Sequence, residues 1–315
     1  MTNPRTVSDA LASFTDDYDV RAELHAVPPH AVYEVRVDGT HAVCKVARGP
    51  KADLSMEAAA LRYVARETSL PVPRVLAAGD GFFVAEWCDD APDPDADTVS
   101  TEKARAMGEG LATLHAETES AVESCGFLAG RPREDPELRL DPHESWAATA
   151  ADHVDDCVTF LRRVGDDESA ALAADVREFL RARPAVFEGV GDPVLCHGNW
   201  LPAHVGVTDG TVTCVLDFEH ALAGPPEYDY WRTVGPTFEG PDDGRDAAYS
   251  AFHAGYESVR SLPEGLDRRA AAFRVVNFVS YLRSLHVQRG PLDTAEKRGL
   301  AATFREVLRD TLDAE

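Results

Sequence analysis

Two stretches of the chain set polar side chains into apolar surroundings: Cys196-His197-Gly198-Asn199-Trp200-Leu201-Pro202-Ala203-His204 and Val215-Leu216-Asp217-Phe218-Glu219. The first brings His197, Asn199 and His204 together in one short segment. The second ends an apolar, strand-like run on Asp217, and carboxylate oxygens are ligands that Mg²⁺ prefers in proteins. Asp209-Gly210 lies between the two and predicts a tight turn. The second stretch can therefore fold back beside the first, which predicts one polar site.

The charge balance of the chain is strongly acidic. Its 315 residues carry a formal net charge of -24, and the hydrophobic fraction of 44% is ordinary for a globular protein. A chain of this length forms one large or two modest domains. Positive charge is nearly all arginine, since the only lysines are Lys45, Lys51, Lys103 and Lys297. Acid-rich, lysine-poor surfaces suit concentrated salt, so we expect a halophile protein, with an acidic mesophile protein as the alternative. The acidity also argues against a nucleic-acid partner.

The cysteines and the apolar runs bear on the compartment. No C-x-x-C pair occurs, so the spacing predicts reduced, mostly buried thiols and no zinc site. The N-terminal residues lack the pattern of a signal peptide. No apolar segment reaches the ~18 residues that a membrane span requires. We therefore expect a cytoplasmic protein without a membrane partner. The six cysteines are Cys44, Cys88, Cys125, Cys157, Cys196 and Cys214.

The first part of the chain predicts a small lobe that contains a sheet, within residues 1–88. Strands are predicted at 32–37, 41–46, 74–76 and 82–85. Asp38-Gly39 predicts the turn between the first two. Asp53 is the predicted N-cap of a helix that runs to Glu67. The Asp/Pro-rich segment 89–99 predicts a linker out of this lobe.

The remaining residues, 100–315, predict a mainly helical lobe. Apolar residues between 104 and 115 recur at helical spacing, and His115 in this stripe is predicted to be a core histidine with satisfied hydrogen bonds. The segment 273–287 is apolar on most of its circumference, which predicts a buried central helix. A short insert at 205–218 predicts β-structure. Further helices are predicted at 143–164, 167–183, 242–260, 266–288 and 294–313.

Lys45 and Glu57 are charged residues at positions where apolar ones are typical. Lys45 lies in an apolar strand, where valine, isoleucine or threonine is usual. The alternative is a surface lysine on an edge strand. Glu57 lies within or beside the apolar stripe of its helix, and an unpaired buried carboxylate is costly. Lys45 is its simplest partner, and the alternative is an acid at the edge of the stripe that reaches solvent.

Three further acidic residues allow two interpretations each. Asp217 either ligates Mg²⁺ at the end of its strand or caps the following helix. Glu219 either assists that metal or begins the next segment. Asp229, which follows Gly224-Pro225-Pro226, either anchors the loop of His197 or caps its own helix.

Taken in order, these residues resemble the aminoglycoside phosphotransferase family of kinase-like small-molecule kinases. The family pattern is H-G-D-x-x-x-x-N, a short hairpin, [V/I]-[I/L]-D-[W/F]-E and then G-x-P-x-x-D. The corresponding residues are His197-Gly198-Asn199, His204, Val215-Leu216-Asp217-Phe218-Glu219 and Gly224-Pro225-Pro226-Glu227-Tyr228-Asp229. Further similarities are Lys45, Glu57, Pro71-Val72-Pro73-Arg74-Val75, Phe83-Val84-Ala85-Glu86-Trp87 and Leu111-Ala112-Thr113-Leu114-His115.

The resemblance implies an α+β, protein-kinase-like fold with two lobes and a nucleotide between them. It implies ATP or GTP and Mg²⁺ as cofactors, and a small molecule as partner. Asn199 and His197 would hold the catalytic positions, and Asp217 and His204 the metal positions. The residues implied to bind the nucleotide are Lys45, Glu57 and the hinge residues Glu86, Trp87 and Cys88.

Two departures from the family pattern, together with two prolines in place of the glycine-rich loop of kinases, leave two functions open. Asn199 stands where the family has an aspartate, and its amide cannot accept a proton. His204 replaces the metal-binding asparagine, although imidazole still ligates metals. Pro28 and Pro29 stand where a glycine-rich loop is expected. The first expectation is an ATP-dependent kinase that acts on a hydroxyl of a small molecule such as a sugar, a choline-like amine or an amino-alcohol. The alternative is a catalytically weak or inactive nucleotide-binding pseudokinase.

Overall fold

The computed structural model of the protein describes residues 6–26, 29–48, 54–93, 99–129, 138–239, 245–287 and 294–314. Pro28, the predicted N-cap Asp53 and residues 94–98 of the predicted linker lie outside these ranges. Within them, no helix has the length and apolar character that crossing a membrane requires.

The first lobe is an antiparallel sheet of five strands. In chain order they are β1 (Tyr18–His25), β2 (His30–Val37), β3 (Thr40–Ala47), β4 (Val75–Gly79) and β5 (Phe82–Glu86). Their order in the sheet is β1-β2-β3-β5-β4. Alternating burial along β2 gives the sheet one covered face, on which helix α1 (Val7–Ala12) packs. Helix α2 (Leu54–Glu67) belongs to a second core, which continues into the other lobe.

The second lobe is mainly helical. Its helices are α3 (Thr101–Thr118), α4 (Trp146–Val164), α5 (Asp167–Ala182), α6 (Pro226–Phe238), α7 (Arg245–Val259), α8 (Leu266–Val287) and α9 (Thr294–Ala314). Ser100, Ser145 and Asp166 each accept a hydrogen bond from a backbone N–H in the first turn of α3, α4 and α5, which fixes where these helices begin.

Short strands frame the site in this lobe. They are β6 (Gly126–Ala129), β7 (Arg139–Pro142), β8 (Val194–Cys196), β9 (Val205–Thr208), β10 (Thr211–Val215) and β11 (Leu222–Gly224). Strands β9 and β10 form a hairpin, and the other four form a sheet in the order β7-β6-β11-β8. The loop of His197 follows β8 and Asp217 follows β10, so both stretches leave strand ends.

Helices α3 and α7 approach each other closely because each has a glycine at the crossing. A Cβ atom at Gly108 would clash with the Phe252 carbonyl, and one at Gly255 with the Arg105 carbonyl. The crossing brings the Nδ1 atom of His115 to 2.8 Å from the hydroxyl of Tyr256. The predicted core histidine is thus fully buried and hydrogen-bonded.

The structure confirms the predicted α+β architecture with two lobes. The predicted strands correspond to β2–β5, and the predicted central helix is α8, in which Phe273, Val276 and Val279 are buried. The predicted β-structure at 205–218 is the hairpin of β9 and β10, and the sequence missed α1, β1 and the short strands β6, β7, β8 and β11. Most residues of β1 are exposed, and such short strands hold too few residues to show an alternation.

The cysteines require a correction. Four are buried free thiols, Cys44, Cys125, Cys157 and Cys196. Cys88 and Cys214, however, are joined by a disulfide, so the expectation that all six are reduced is wrong. Strand β10 runs beside the segment that follows β5 and brings the two Cα atoms to 6.8 Å. A sequence separation of 126 residues gave no sign of this contact.

Candidate active site

Three charged side chains from distant parts of the chain meet between the lobes. The ammonium group of Lys45 on β3 donates to Oε1 of Glu57 on α2 at 3.0 Å and to Oδ1 of Asp217 after β10 at 2.8 Å. Lys45 is 6% and Glu57 is 2% exposed, which excludes a surface lysine and an acid that reaches solvent. Asp217 makes no side-chain cap for the turn that follows it, which excludes the capping alternative.

The pKa values of this cluster follow from burial and mutual charge. Burial alone would lower the pKa of Lys45, but Asp217 and Glu57 outweigh it and raise this pKa above its ordinary value. Burial would raise the pKa of Asp217, and the Lys45 ammonium instead holds it well below its usual range. Burial raises the pKa of Glu57 to about 8, against the opposing charge of Lys45. Lys45 and Asp217 are therefore both charged at neutral pH.

Glu219 and His30 lie next to this cluster of Lys45, Glu57 and Asp217. Oε2 of Glu219 lies 3.8 Å from the Lys45 ammonium and 3.3 Å from Nδ1 of His30. Burial lowers the pKa of His30 to about 3, so its ring is neutral at physiological pH. The sequence prediction missed His30. Pairing of Val32 with Lys45 places His30, two residues earlier on β2, on the Lys45 face of the sheet, and this alternation was the available signal.

The donor set fits a divalent cation. Carboxylate oxygens of Glu57, Asp217 and Glu219 lie within 4.8 Å of one another, as hard oxygen ligands for Mg²⁺ would. Nδ1 of His204 is 2.8 Å from the Asn199 carbonyl, which can only accept, so Nδ1 donates. Nε2 of His204, the other ring nitrogen, lies 3.4 Å from Oδ2 of Asp217. A cation between these two atoms would satisfy both.

His197 holds the loop to the Asp217 segment from inside the protein. Its Nε2 donates to the Leu216 carbonyl at 2.8 Å, and its Nδ1 accepts from the Asn199 N–H at 3.1 Å. The side chain is fully buried, and burial lowers its pKa to about 4. Both ring nitrogens are therefore used within the protein, which makes His197 a positioning residue.

Asp229 anchors the same loop by its backbone. Its carboxylate accepts from the N–H of His197 at 2.5 Å and from the N–H of Gly198 at 2.7 Å. Nε2 of His115 lies 3.3 Å from Oδ2 of Asp229. Burial would raise the pKa of Asp229, and the hydrogen bond with His115 instead lowers it. Helix α6 begins without a side-chain cap, so of the two interpretations of Asp229 the structure supports the anchor.

Two residues of the site have positive φ angles. Gly198 has φ of +76°, and a Cβ there would clash with the His220 carbonyl, so this position requires glycine. Asp217 has φ of +67°, which is rare for a residue other than glycine and is typical of functional sites. Both residues therefore lie in the sharp bends that follow β8 and β10.

Asn199 is half-buried beside the cleft. Its backbone N–H and carbonyl bond to His197 and His204. Within the described ranges, no residue hydrogen-bonds to its side-chain amide. The amide is therefore available to a ligand.

The predicted hinge residues are engaged through their side chains. Glu86 pairs with Arg74, the Trp87 ring stacks on His41 at 4.3 Å, and Cys88 is bonded to Cys214. A cleft of about 200 Å³ beside them is lined by Pro71, Val72, Pro73, Arg74, Glu86, Trp87, Cys88, Thr213 and Cys214. Lys45 and Asp217 do not line it, so it is separate from the charged cluster.

The fold is shared with solved structures of low sequence identity. A protein of Thermobifida fusca YX-ER1, provisionally named fructosamine-3-kinase, is 22% identical with a TM-score of 0.66, over 98% of this chain and 99% of its own. A thermostable mutant of aminoglycoside phosphotransferase APH(4)-Ia, crystallised with ADP and hygromycin B, is 17% identical with a TM-score of 0.61, over 95% and 94%. Macrolide 2′-phosphotransferase MphH from Brachybacterium faecium is 21% identical with a TM-score of 0.55, over 91% of each chain.

No curated protein sequence matches the chain. The model of the phosphotransferase enzyme family, in contrast, matches residues 30–272. This range contains Lys45, Glu57, the loop of His197 and Asp217, the residues that the fold brings together. With most of its length and its whole charged cluster inside that match, the chain belongs to the phosphotransferase enzyme family.

Proposed function

We propose that this protein transfers the terminal phosphoryl group of ATP or GTP to a small molecule. The convergence of Lys45, Glu57 and Asp217 carries the proposal. Phosphoryl transfer has a loose transition state and depends on positioning and charge neutralisation rather than on covalent help from the protein. A buried ammonium held by two carboxylates is a fixed donor for phosphate oxygens. The solved structure of the same fold that contains ADP supports nucleotide binding by this protein.

The residues divide the work as follows. Lys45, positioned by Glu57, would contact the nucleotide phosphates, and Glu86–Cys88 would border the base. Asp217 and His204 would hold the metal ion, which would neutralise the phosphate charge. Asp229 and His197 keep the loop in place, so that Asn199 reaches an acceptor.

The sequence predicts a hydroxyl acceptor oriented by Asn199. Because an amide takes no proton, such a hydroxyl would lose its proton late, without the base assistance that typically contributes about 10²–10⁴-fold. The same replacement favours the second candidate, a pseudokinase that binds nucleotide without turnover.

Nucleotide binding tests the proposal directly. Calorimetry with ATP and GTP, with Mg²⁺ and in molar KCl, should detect binding by the protein. Lys45→Met should weaken it at least tenfold. Arg36→Met, which removes an exposed cation from the same sheet, is the matched control and should leave binding unchanged. Absence of any nucleotide binding would refute the proposal, and binding without release of ADP for any acceptor would identify the pseudokinase.

A further inference from the structure

A group of hydrogen-bond donors lies on the other side of the loop from Lys45. Arg232 on α6 is 5% exposed, and its Nε donates to the carbonyl of Gly198, the residue before Asn199. Its Nη1 is 3.5 Å from Oδ1 of Asn277 on α8. Arg283, on the same helix, lies over the ring of Phe160 at 5.6 Å. We call Arg232, Asn277 and Arg283 the arginine cluster.

Among the described residues, no carboxylate forms an ion pair with either arginine of the cluster, although Asp229 acts on Arg232 and Glu219 on Arg283 from a greater distance. Across the described part of the chain, no carboxylate oxygen lies within 4.0 Å of Arg232 or Arg283, whereas the buried Arg269 pairs with Glu227 at 2.7 Å. Nδ2 of Asn277 and Nε of Arg283 are buried without a hydrogen-bond acceptor. Acidic residues outnumber basic ones by 55 to 31 in this chain. Buried donors without acceptors are costly, and a ligand with several acceptor oxygens would satisfy them here.

The pKa of His153 is affected by both arginines of the cluster. His153 on α4 lies 2.7 Å from the Ser280 hydroxyl of α8, on the inner face of the helical lobe. Burial lowers the pKa of His153 to about 3, and Arg232 and Arg283 act in the same direction. Both guanidinium groups are therefore close enough to act on this side chain by their charge. Two arginines thus share one part of the helical lobe in a protein that is strongly negative as a whole.

Asn199 fits the same type of ligand. An aspartate in its place would repel an anion that approaches the loop, and a neutral amide does not. A base is needed only when the attacking oxygen carries a proton. The neutral amide and the buried donors without acceptors are thus two separate observations that one kind of acceptor explains.

We propose that the phosphoryl acceptor is a small oxyanion, a carboxylate or a phosphomonoester, held by the arginine cluster. The inference rests on the proposed function. An ionised acceptor oxygen forms a bond to the γ-phosphorus as the bond from that phosphorus to the β–γ bridging oxygen breaks. The electron pair of the broken bond leaves with the nucleoside diphosphate, and no proton is transferred. The product is an acyl phosphate or a phosphoanhydride.

Matched acceptors test the charge requirement. Release of ADP should be measured with small carboxylates and sugar phosphates, and with the corresponding sugars, choline-like amines and amino-alcohols. Turnover is expected only with the anions. Trapping with hydroxylamine identifies an acyl phosphate, and phosphorus–phosphorus coupling in ³¹P NMR identifies a phosphoanhydride. Turnover of neutral or cationic alcohols but not of anions would overturn the proposal.

Variants test the residues. Arg283→Gln should raise KM for the anion at least tenfold with unchanged nucleotide affinity, and Arg283→Lys should restore part of it. Arg274→Gln, on the same helix but paired with Glu239, should change neither. Asn199→Asp should lower kcat/KM at least tenfold, because it adds repulsion, whereas a hydroxyl acceptor predicts an increase.

The outcomes separate this inference from the proposed function. Without nucleotide binding, the proposed function fails. Nucleotide binding with neither anion turnover nor anion binding that depends on Arg283 overturns the oxyanion acceptor alone.

Discussion

The partners of buried positive charge differ between the two sides of the His197 loop. On one side, Lys45 lies within 3.0 Å of two carboxylates. On the other, Arg232 meets a backbone carbonyl, an amide and the rings of Tyr228 and Tyr281. A buried pair is internally compensated, whereas a lone buried cation depends on what binds to it. The difference indicates that carboxylates of the protein compensate the Lys45 ammonium directly, whereas the arginine cluster has no carboxylate paired with it among the described residues.

Removal of one cation from each side should therefore have unequal effects on stability. Lys45→Met leaves Glu57 and Asp217 without their cation and should cost about 3–5 kcal/mol, as breaking a buried ion pair does. Arg283→Met removes a cation that has no paired carboxylate, so it leaves no buried charge behind and should cost much less. Urea unfolding at pH 7.5 in molar KCl measures both. Equal losses would contradict the distinction between the two sides.

Asp229, whose carboxylate anchors the His197 loop, offers the next test. Asp229→Asn keeps the shape but weakens two charge-assisted hydrogen bonds to the loop, and it should cost about 2–3 kcal/mol. Hydrogen exchange of the His197 and Gly198 amides should accelerate. Asp246→Asn, in the first turn of α7 and away from the loop, serves as control. Unchanged exchange at the two amides would show that the carboxylate does not hold the loop.

The next prediction tests whether His204 binds the metal ion on the Lys45 side. With nucleotide and Mn²⁺ bound, electron spin-echo spectroscopy should show coupling to a protein nitrogen, and ¹⁵N labelling of the protein should replace the ¹⁴N signal. His204→Asn should abolish this coupling and lower Mn²⁺ affinity about tenfold, because imidazole suits first-row transition metals better than an amide oxygen does. A coupling that persists in His204→Asn would exclude the imidazole as ligand.

A further test concerns the pH dependence of stability. The folded pKa of His197 lies near 4, below the ordinary value of about 6.5 that applies to the unfolded chain. Below pH 6.5 the unfolded state binds an extra proton, so the free energy of unfolding falls with decreasing pH by up to about 1.4 kcal/mol per unit until pH 4. His197→Asn should reduce this slope by up to about 1.4 kcal/mol per pH unit, the contribution of one proton. Urea unfolding at pH 7.5, 6.0 and 5.0 measures it. An unchanged slope would show that His197 is not the neutral buried group.

The Lys45 side was predictable because its signals are local. A lysine in an apolar strand, a glutamate in an apolar helical stripe and an aspartate at a strand end each violate a short-range pattern. The arginine cluster was not predictable, since Arg232 and Arg283 lie on helices where a charged residue normally faces solvent. The packing of α6 against α8 brings them to the same part of the helical lobe. The disulfide was missed for a similar reason, because the crossing of two distant segments produces it.

The glycine crossing of α3 and α7 has a consequence for the chemistry. His115 lies two turns after Gly108 on α3, and it links Tyr256 of α7 to Asp229, which fixes the loop. An added methyl group at Gly108 or Gly255 would push the helices apart and carry the displacement along this relay. The alignment of Asn199 is thus set partly by interhelical spacing remote from any ligand, and a conservative change there would alter turnover without touching a reacting atom.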